Sequence, residues 1–244
     1  MAAIKIIYDN NTVQKGFKPA WGFSCLVKYH GRNILFDTGG KADVLLSNLK
    51  ALRVSPRSVT EIFISHSHWD HTGGLFGFLN INHKVKVFVP ASFSRAYRNE
   101  IKATGAKCVG IKTFTRIAKD IYSSGELGEG IKEQSLIIDV SKGLIIITGC
   151  AHPGIIEIIK TVKKKLDRPI LAVLGGFHLY TKSTSEIKKI ITEFKCLGMA
   201  YAGPCHCSGE KAIRQFKAAY RDKFISVGAG SVVDVAAIKT AKIS

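Results

Sequence analysis

Short apolar runs bounded by Gly, Asn and Asp open the chain. Residues 3–8, 22–29 and 33–36 are rich in β-branched and aliphatic side chains and read as strands, with His30-Gly31-Arg32 as the tight connection of a hairpin. The period then lengthens. Residues 41–52 read as a helix, 62–65 as a buried strand, 84–89 as an alternating strand and 91–104 as a helix. Residues 112–133 keep no period and contain Ser123-Ser124-Gly125 and Gly128-Glu129-Gly130, so an irregular, mobile loop over the functional site is expected there. Beyond it, 136–140 and 143–148 flank the turn Ser141-Lys142-Gly143 as paired strands, and 170–174, 199–202 and 224–227 read as further strands. Helices are predicted over 155–166, 183–196 and 210–220. The first of these sets Ile155, Ile158, Ile159, Val162 and Leu166 on one face and a solvated lysine run mostly elsewhere. Hairpins followed by alternating strands and helices predict an α/β class, with two mixed β-sheets packed face to face and helices outside. A chain of 244 residues with 46 % hydrophobic content suits one such domain over 1–244.

The predicted strand at 62–65 runs into Ser65-His66-Ser67-His68-Trp69-Asp70-His71-Thr72-Gly73-Gly74, which holds three imidazoles and a carboxylate within six positions. Packing explains such crowding poorly, because each imidazole has two ring nitrogens to satisfy and Asp is rarely buried unpaired. Metal binding accounts for all of them. His66 and His68, two apart in an extended segment, point to one side and can grip one ion. Asp70 and His71 fall where the chain turns and can hold a second ion, typically ~3.5–4 Å from the first when the two share a hydrolytic water. Imidazole with carboxylate suits zinc, iron or manganese. Of the eight histidines, His66, His68, His71, His152, His178 and His206 lie at the ends of predicted strands, and Asp37 ends another.

His66-Ser67-His68-Trp69-Asp70-His71 resembles the H-x-H-x-D-H signature of the metallo-β-lactamase fold. A finer match runs through Phe36-Asp37-Thr38-Gly39-Gly40, Glu133-Gln134-Ser135-Leu136, Thr148-Gly149-Cys150-Ala151-His152-Pro153-Gly154, Gly175-Gly176-Phe177-His178-Leu179 and Gly203-Pro204-Cys205-His206-Cys207. Together these resemble the branch of 7,8-dihydropterin-6-yl-methyl-4-(β-D-ribofuranosyl)aminobenzene 5'-phosphate synthase-like proteins. The resemblance implies a four-layer αβ/βα sandwich with its site at one edge between the sheets. It also implies two divalent metal ions, with His66, His68 and His152 at the first and Asp70, His71 and His206 at the second. His178 is the alternative to His206 for the sixth place; otherwise it is expected to contact substrate, carry a proton or support a ligand, so Asp70 and His178 are the candidate catalytic residues. Asp37 is expected to support a ligand. Where the common family pattern ends a strand in Thr-Gly-Asp with a bridging carboxylate, this chain has Thr148-Gly149-Cys150. Cys150 is then either a thiolate ligand or a small buried filler, and the second site can be weak. Cys205 and Cys207 are expected to be structural.

Charge narrows the partners. With 36 Lys and Arg against 18 Asp and Glu, the formal charge is +18, which favours an anionic, phosphate-containing small-molecule substrate over a neutral one. The same charge would suit a nuclease of this fold, but no arm or extra domain for long nucleic acid is evident. A metal-activated water makes hydrolysis the expected chemistry. The alternatives are the condensation implied by the branch, joining a dihydropterin diphosphate to a ribofuranosylaminobenzene phosphate, and a non-catalytic pterin or nucleotide binder with structural zinc. No apolar run approaches the ~18 residues of a membrane span. The first residues lack the pattern of a secretory leader, and the six cysteines read as reduced thiols, so a cytoplasmic location is expected.

Overall fold

Tyr29 and Arg32 pair across His30 and Gly31, both left-handed (φ 48° and 75°), which is the backbone that a two-residue hairpin turn requires. The turn joins β2 (Ser24–Tyr29) to β3 (Arg32–Phe36), and β1 (Ala3–Tyr8) pairs antiparallel with the other side of β2. From β3 the chain passes through α1 (Ala42–Ala51) to β4 (Glu61–Phe63), through α2 (Trp69–Thr72) and α3 (Leu75–Leu79) to β5 (Lys86–Pro90), and through α4 (Arg95–Ala103) to β6 (Lys107–Ile111). Each of these strands is parallel to the one before it. An antiparallel meander follows, made of β7 (Thr115–Ala118), β8 (Ile121–Ser123), β9 (Leu136–Val140) and β10 (Gly143–Thr148). Crossovers through α5 (Ile155–Lys165) and α6 (Thr184–Cys196) then add β11 (Ile170–Gly176) and β12 (Tyr201–Cys205) in parallel. After α7 (Glu210–Tyr220), β13 (Val232–Asp234) returns to pair with β1. The computed structural model describes residues 2–238.

The result is two mixed sheets in the orders β13-β1-β2-β3-β4-β5-β6 and β12-β11-β10-β9-β8-β7. Period-two alternation decides which layer each side chain joins. In β10, Ile145 and Ile147 point between the sheets, where they meet Phe23, Phe36, Phe63, Ile138 and Leu174, while Leu144 and Ile146 point outward under α5 and α6. On the outside of the first sheet, Leu26, Leu35, Ile62 and Val87 are covered by Val44, Leu45 and Leu49 of α1 and by Leu75, Phe78 and Leu79 of α3. Three apolar layers between four structural layers make the fold a metallo-β-lactamase-type αβ/βα sandwich, as its sequence pattern implies.

Two sequence expectations are corrected. The stretch 112–133 is not one irregular loop, because β7 and β8 within it form the edge hairpin of the second sheet, with Ile121 opposite Ile138. Both strands are too short to show a period by themselves, and their partner β9 supplies the pairing. Within the same stretch, Phe114 stacks on Tyr122 at 5.7 Å and packs into the outer apolar layer of that sheet. The expected strand at 224–227 is also absent. Phe224 makes a single bridge to Ala202, and the closing strand is β13, whose Val233 covers the edge of the inter-sheet core. The helix expected from residue 91 begins at Arg95, where the Ser94 hydroxyl accepts from the Tyr97 N–H at 3.1 Å and caps it. No helix among the described residues is long and apolar enough to cross a membrane.

The outer layer of the second sheet is fixed by an aromatic cluster in which Phe194 of α6 meets Phe177 at 5.5 Å and Phe216 of α7 at 5.1 Å. Phe194 is fully buried, so Phe194→Ala is expected to lose about 3–5 kcal/mol of unfolding free energy. Urea unfolding should show this as a lower midpoint at unchanged slope.

Candidate metal centre

The ligand-type side chains sit where strands β3, β4, β10, β11 and β12 end, and buried carboxylates aim them. Asp37 follows β3 and is fully buried. Its Oδ1 accepts from the Ser65 N–H at 2.7 Å, and its Oδ2 accepts from the Ser65 hydroxyl and from His71 Nδ1, both at 2.7 Å. With its proton given to Asp37, the Ser65 oxygen is left to accept from His66 Nδ1 at 2.9 Å. One carboxylate therefore selects two tautomers: His66 and His71 both carry their proton on Nδ1 and present the Nε2 lone pair inward. Gly149 is required beside this chain, because a Cβ there would lie 2.1 Å from the Ser65 Oγ.

A second carboxylate holds the loop after β10. Glu133, buried, accepts the backbone N–H groups of Gly149, Cys150 and Ala151 on Oε1 (3.1, 3.0 and 2.9 Å) and that of His152 on Oε2 (2.9 Å). Burial pushes its carboxyl up, against those hydrogen bonds. Gln134 next to it donates from its side chain to the Ile64 carbonyl at 2.8 Å and from its backbone to Ser65, tying the start of β9 to the end of β4. A third holds the end of β12: Asp9 accepts from the His206 backbone at 3.1 Å, while the Asn10 side-chain carbonyl accepts from His206 Nδ1 at 3.0 Å. His206 thereby also presents Nε2. Burial raises Asp9 to about 6.

Two clusters result. His66 Nε2 lies 3.1 Å from His68 Nδ1, and His152 Nε2 lies 3.2 Å from the same atom. Ring nitrogens bound at 2.0–2.1 Å around one tetrahedral ion would be about 3.3 Å apart. Adjacent to them, Asp70 Oδ2 lies 3.2 Å from His206 Nε2 and 3.7 Å from His71 Nε2. His206 Nε2 is buried and makes no hydrogen bond. A buried nitrogen that makes no hydrogen bond although a carboxylate oxygen lies 3.2 Å away, beside three more ring nitrogens converging at 3.1 and 3.2 Å, is the donor chemistry that a divalent cation satisfies. The residues present therefore fit a metal centre.

His178, at φ 52° after β11, stands apart from Asp70 and His71. Its ring is 4.5 Å from that of His152, and its buried Nδ1 has no hydrogen-bond partner. Its place is with Cys150 and His152, whereas His206 is the histidine brought to Asp70 and His71. Cys150 is buried with its Sγ 3.3 Å from His71 Nε2, and Cys207 adjoins it. Around the opening, Trp21, Trp69 and Tyr180 are exposed, Trp21 lying 5.1 Å from the His206 ring and Tyr180 5.4 Å from that of His178. A cavity of about 420 Å³ beside Ser67 is lined by Ser92, Phe93, Ser94, Tyr97 and Lys132.

The electrostatics separate the two clusters. Burial, reinforced by neighbouring imidazoles, holds His66 well below its ordinary value and His152 at about 4. His71 is as buried, yet the Asp37 carboxylate overcomes the burial and raises it. Burial alone would raise Asp70, but the facing His206 and His71 rings hold it at about 2. The neighbouring Cys207 sulfur raises His178 in spite of its burial.

Ser65, Glu133, Asn10 and Asp9 have parts in this architecture that residue-by-residue reading did not give them. Glu133, Asn10 and Asp9 act on residues 16 to 197 positions away, where local spacing carries no signal, and Ser65 orients the adjacent His66 only because Asp37, 28 positions away, takes its proton. For Glu133 the available signal was its place in the matched stretch Glu133-Gln134-Ser135-Leu136 at the start of the apolar strand β9.

Comparison with known proteins bears on this geometry. A family model described as the metallo-beta-lactamase superfamily matches residues 22–160, more than half of the chain. The chain is 29 % identical to the 7,8-dihydropterin-6-methyl-4-(beta-D-ribofuranosyl)-aminobenzene-5'-phosphate synthase of Methanocaldococcus jannaschii, over 88 % of this chain and 91 % of that one. An uncharacterized protein of the same organism is 31 % identical, over 95 % and 100 % of the two chains. Among solved structures, a metal-dependent hydrolase of the beta-lactamase superfamily superposes with a TM-score of 0.82 at 29 % identity, covering 96 % of this chain and 99 % of its own. The matched region contains the His66–His71 segment, Asp37, Glu133 and His152, and with the fold and the family model in agreement the chain belongs to the metallo-β-lactamase superfamily.

Proposed function

We propose that the protein is a metal-dependent hydrolase acting on an anionic, phosphate-containing small molecule, with one divalent ion held by His66, His68 and His152 and a second by Asp70, His71 and His206. Zinc, iron or manganese suits this donor set. The observation that carries the reading is the convergence of ring nitrogens at 3.1 and 3.2 Å beside the unpartnered His206 Nε2. When bound, such ions supply an acidified water, with a pKa near ~7, and charge compensation at a phosphoryl oxygen.

The chain's own residues do the rest. Asp37 and Asn10 keep the histidine lone pairs directed inward, and Glu133 fixes the loop that presents His152. His178, beside His152 and raised by Cys207, is placed to hand a proton to a leaving group near neutral pH. A net charge of +18 steers anions to the surface, and Lys132 with Ser92 and Ser94 offers an anion subsite beside Ser67.

A second reading is supported by the likeness to the synthase and by the exposed faces of Trp21, Trp69 and Tyr180, which suit planar rings. In that reaction an arylamine nitrogen displaces diphosphate from the methylene carbon of a dihydropterin. The C–O bond breaks with its electrons leaving on diphosphate, a C–N bond forms, and the nitrogen loses a proton. The same metal set would bind the leaving group. The two readings differ in the nucleophile and in the atom attacked: water at phosphorus in hydrolysis, an arylamine at the methylene carbon in condensation.

Protein purified without chelator is expected to contain about one to two transition-metal ions per chain by elemental analysis. Given a pterin diphosphate, it should release product without an arylamine if it is a hydrolase, and only with one if it condenses. Asp70→Ala should abolish either turnover at unchanged circular dichroism. Full folding with no metal, or undiminished turnover in that variant, would overturn the site assignment.

Asp37→Asn leaves an amide N–H₂ facing one of the three donors that the carboxylate now accepts. Metal affinity should fall about 10–100-fold in chelator competition.

Protons compete with ions for the same nitrogens. His152, at about 4, stays unprotonated well into the acid range, while His71, raised above its ordinary value, takes its proton at higher pH. Acidification from neutrality should therefore empty the second cluster first, seen as a plateau at half metal content in protein dialysed at stepped pH. Loss of both together would contradict the assignment.

A further inference from the structure

We propose that the cavity beside Ser67 holds a second part of the substrate, a flat aromatic group that carries its own anionic substituent, and that Ile131 and Lys132 are the residues that select it. The inference rests on the hydrolase reading above, which puts the reacting phosphoryl group at the histidines.

One wall of the cavity is the tip of a small hairpin. The Leu127 N–H donates to the Glu133 carbonyl at 2.9 Å, and the Glu133 N–H returns the bond to the Leu127 carbonyl at 3.1 Å, which closes residues 128–132 into a loop. Three contacts hold that loop in place. Glu126, just before it, accepts the Ser92 N–H at 2.6 Å, and the Lys132 ammonium donates to the Gly128 carbonyl. Gly128 lies against Pro153, since a Cβ there would come within 3.3 Å of the proline Cγ. Pro153 follows His152, and Glu133 also accepts the His152 N–H at 2.9 Å. The hairpin that walls the cavity and the loop that presents His152 therefore share one anchor. Ser67, which also lines the cavity, sits between His66 and His68. A molecule seated there is held in register with those three histidines.

The walls are apolar and basic. Ile131 is 37 % exposed on a tip otherwise made of Gly, Glu and Lys, and it lines the same space as Phe93 and Tyr97, whose rings meet at 5.4 Å. Phe76 backs Tyr97 at 5.5 Å, so the aromatic pair is braced. An exposed aliphatic side chain and a braced aromatic pair around one space suit a flat ring. The charge is supplied separately. Lys132 keeps donors beyond the one given to Gly128. Helix α4 begins at the cavity with Ser94 as its cap, so the helix end that attracts negative charge opens onto the same space. No carboxylate is among the lining residues. A volume of about 420 Å³ has room for one ring and its substituent.

Binding of small probes to the whole chain as purified, followed by ligand-observed NMR, tests this without turnover. Phenylphosphonate or benzoate is expected to bind about 10-fold more tightly than methylphosphonate, which lacks the ring, and benzyl alcohol, which lacks the charge. The tighter of the two identifies the anion as phosphate-like or carboxylate. Lys132→Met should bring its affinity down to that of benzyl alcohol, and Ile131→Ser down to that of methylphosphonate, both at unchanged circular dichroism. Trp21→Ala, Tyr180→Ala and removal of metal with a chelator should leave it as it is. Binding that disappears with chelator and ignores both hairpin substitutions would put the anion at the metals alone and overturn the pocket. Dependence on Trp21 or Tyr180 in place of Ile131, or no preference for a ring-bearing anion, would overturn it too. Each of those results leaves the hydrolase reading standing. That reading fails separately when the same sample holds no metal, a result that leaves probe binding unchanged.

Discussion

The centre depends on one buried carboxylate. Asp37 has no exposure, and an ionised group so placed is tolerated only when its oxygens are satisfied. They are satisfied by the backbone and hydroxyl of Ser65 and by His71. Those partners lie at the end of β4 and in α2, so the hydrogen bonds that make Asp37 tolerable also lock the His-rich turn onto the end of β3. Positioning and solvation are the same bonds. The backbone repeats the tie, with Asp37 N–H to Phe63 at 2.8 Å and Thr38 N–H to His71 at 2.8 Å.

Glu133 and Asp9 extend this logic to the second sheet and to β1. The two sheets meet through an apolar core that fixes their separation but is indifferent to small slides. Polar ties across the edge are directional and remove that freedom: Gln134 to Ile64, and Asp9 and Asn10 to His206, while Glu133 fixes the loop at 149–152 within the second sheet. Donors drawn from both sheets could share a cation only if held to a fraction of an ångström. The aliphatic layers alone would not supply that.

Much of this was legible in the chain, and the reason differs by element. β9, β10 and α7 have the bounds that their apolar pattern gives, because each is long enough to express its period and is covered on the expected face. The clustering of ligand-type side chains within His66–His71 was legible because a strand end and a helical first turn set the direction of each side chain locally. The edge strands β6, β7 and β13 and the three-residue β8 beside β7 were obscured because what makes them strands is a neighbour, and they are too short or too exposed to keep a pattern of their own. The supporting acids were obscured for a related reason. Asp9 reads alone as an ordinary polar residue and Glu133 only as part of a matched stretch, and what each does is defined by N–H groups that arrive from elsewhere in the chain.

The backbone shows what assembling the site costs. Asp37, Ala151, His178 and His206 are all left-handed, at φ 51°, 59°, 52° and 50°, and each lies just past a strand that ends at the centre. For residues with a Cβ this conformation costs roughly 1–2 kcal/mol. Glycine would relieve it at every position, but glycine at three of them would delete the side chain that the turn exists to aim. The strain is therefore tied to the chemistry: a strand that continued straight would carry its terminal side chain past the site, and the left-handed residue swings it inward. Hydrogen bonds to Asp37, Glu133 and Asp9 offset part of this cost. Cations between the converging nitrogens would offset more, because ring nitrogens that crowd each other without a shared ion have lone pairs facing lone pairs. Any cation held by these side chains would therefore be linked to folding stability through the same turns.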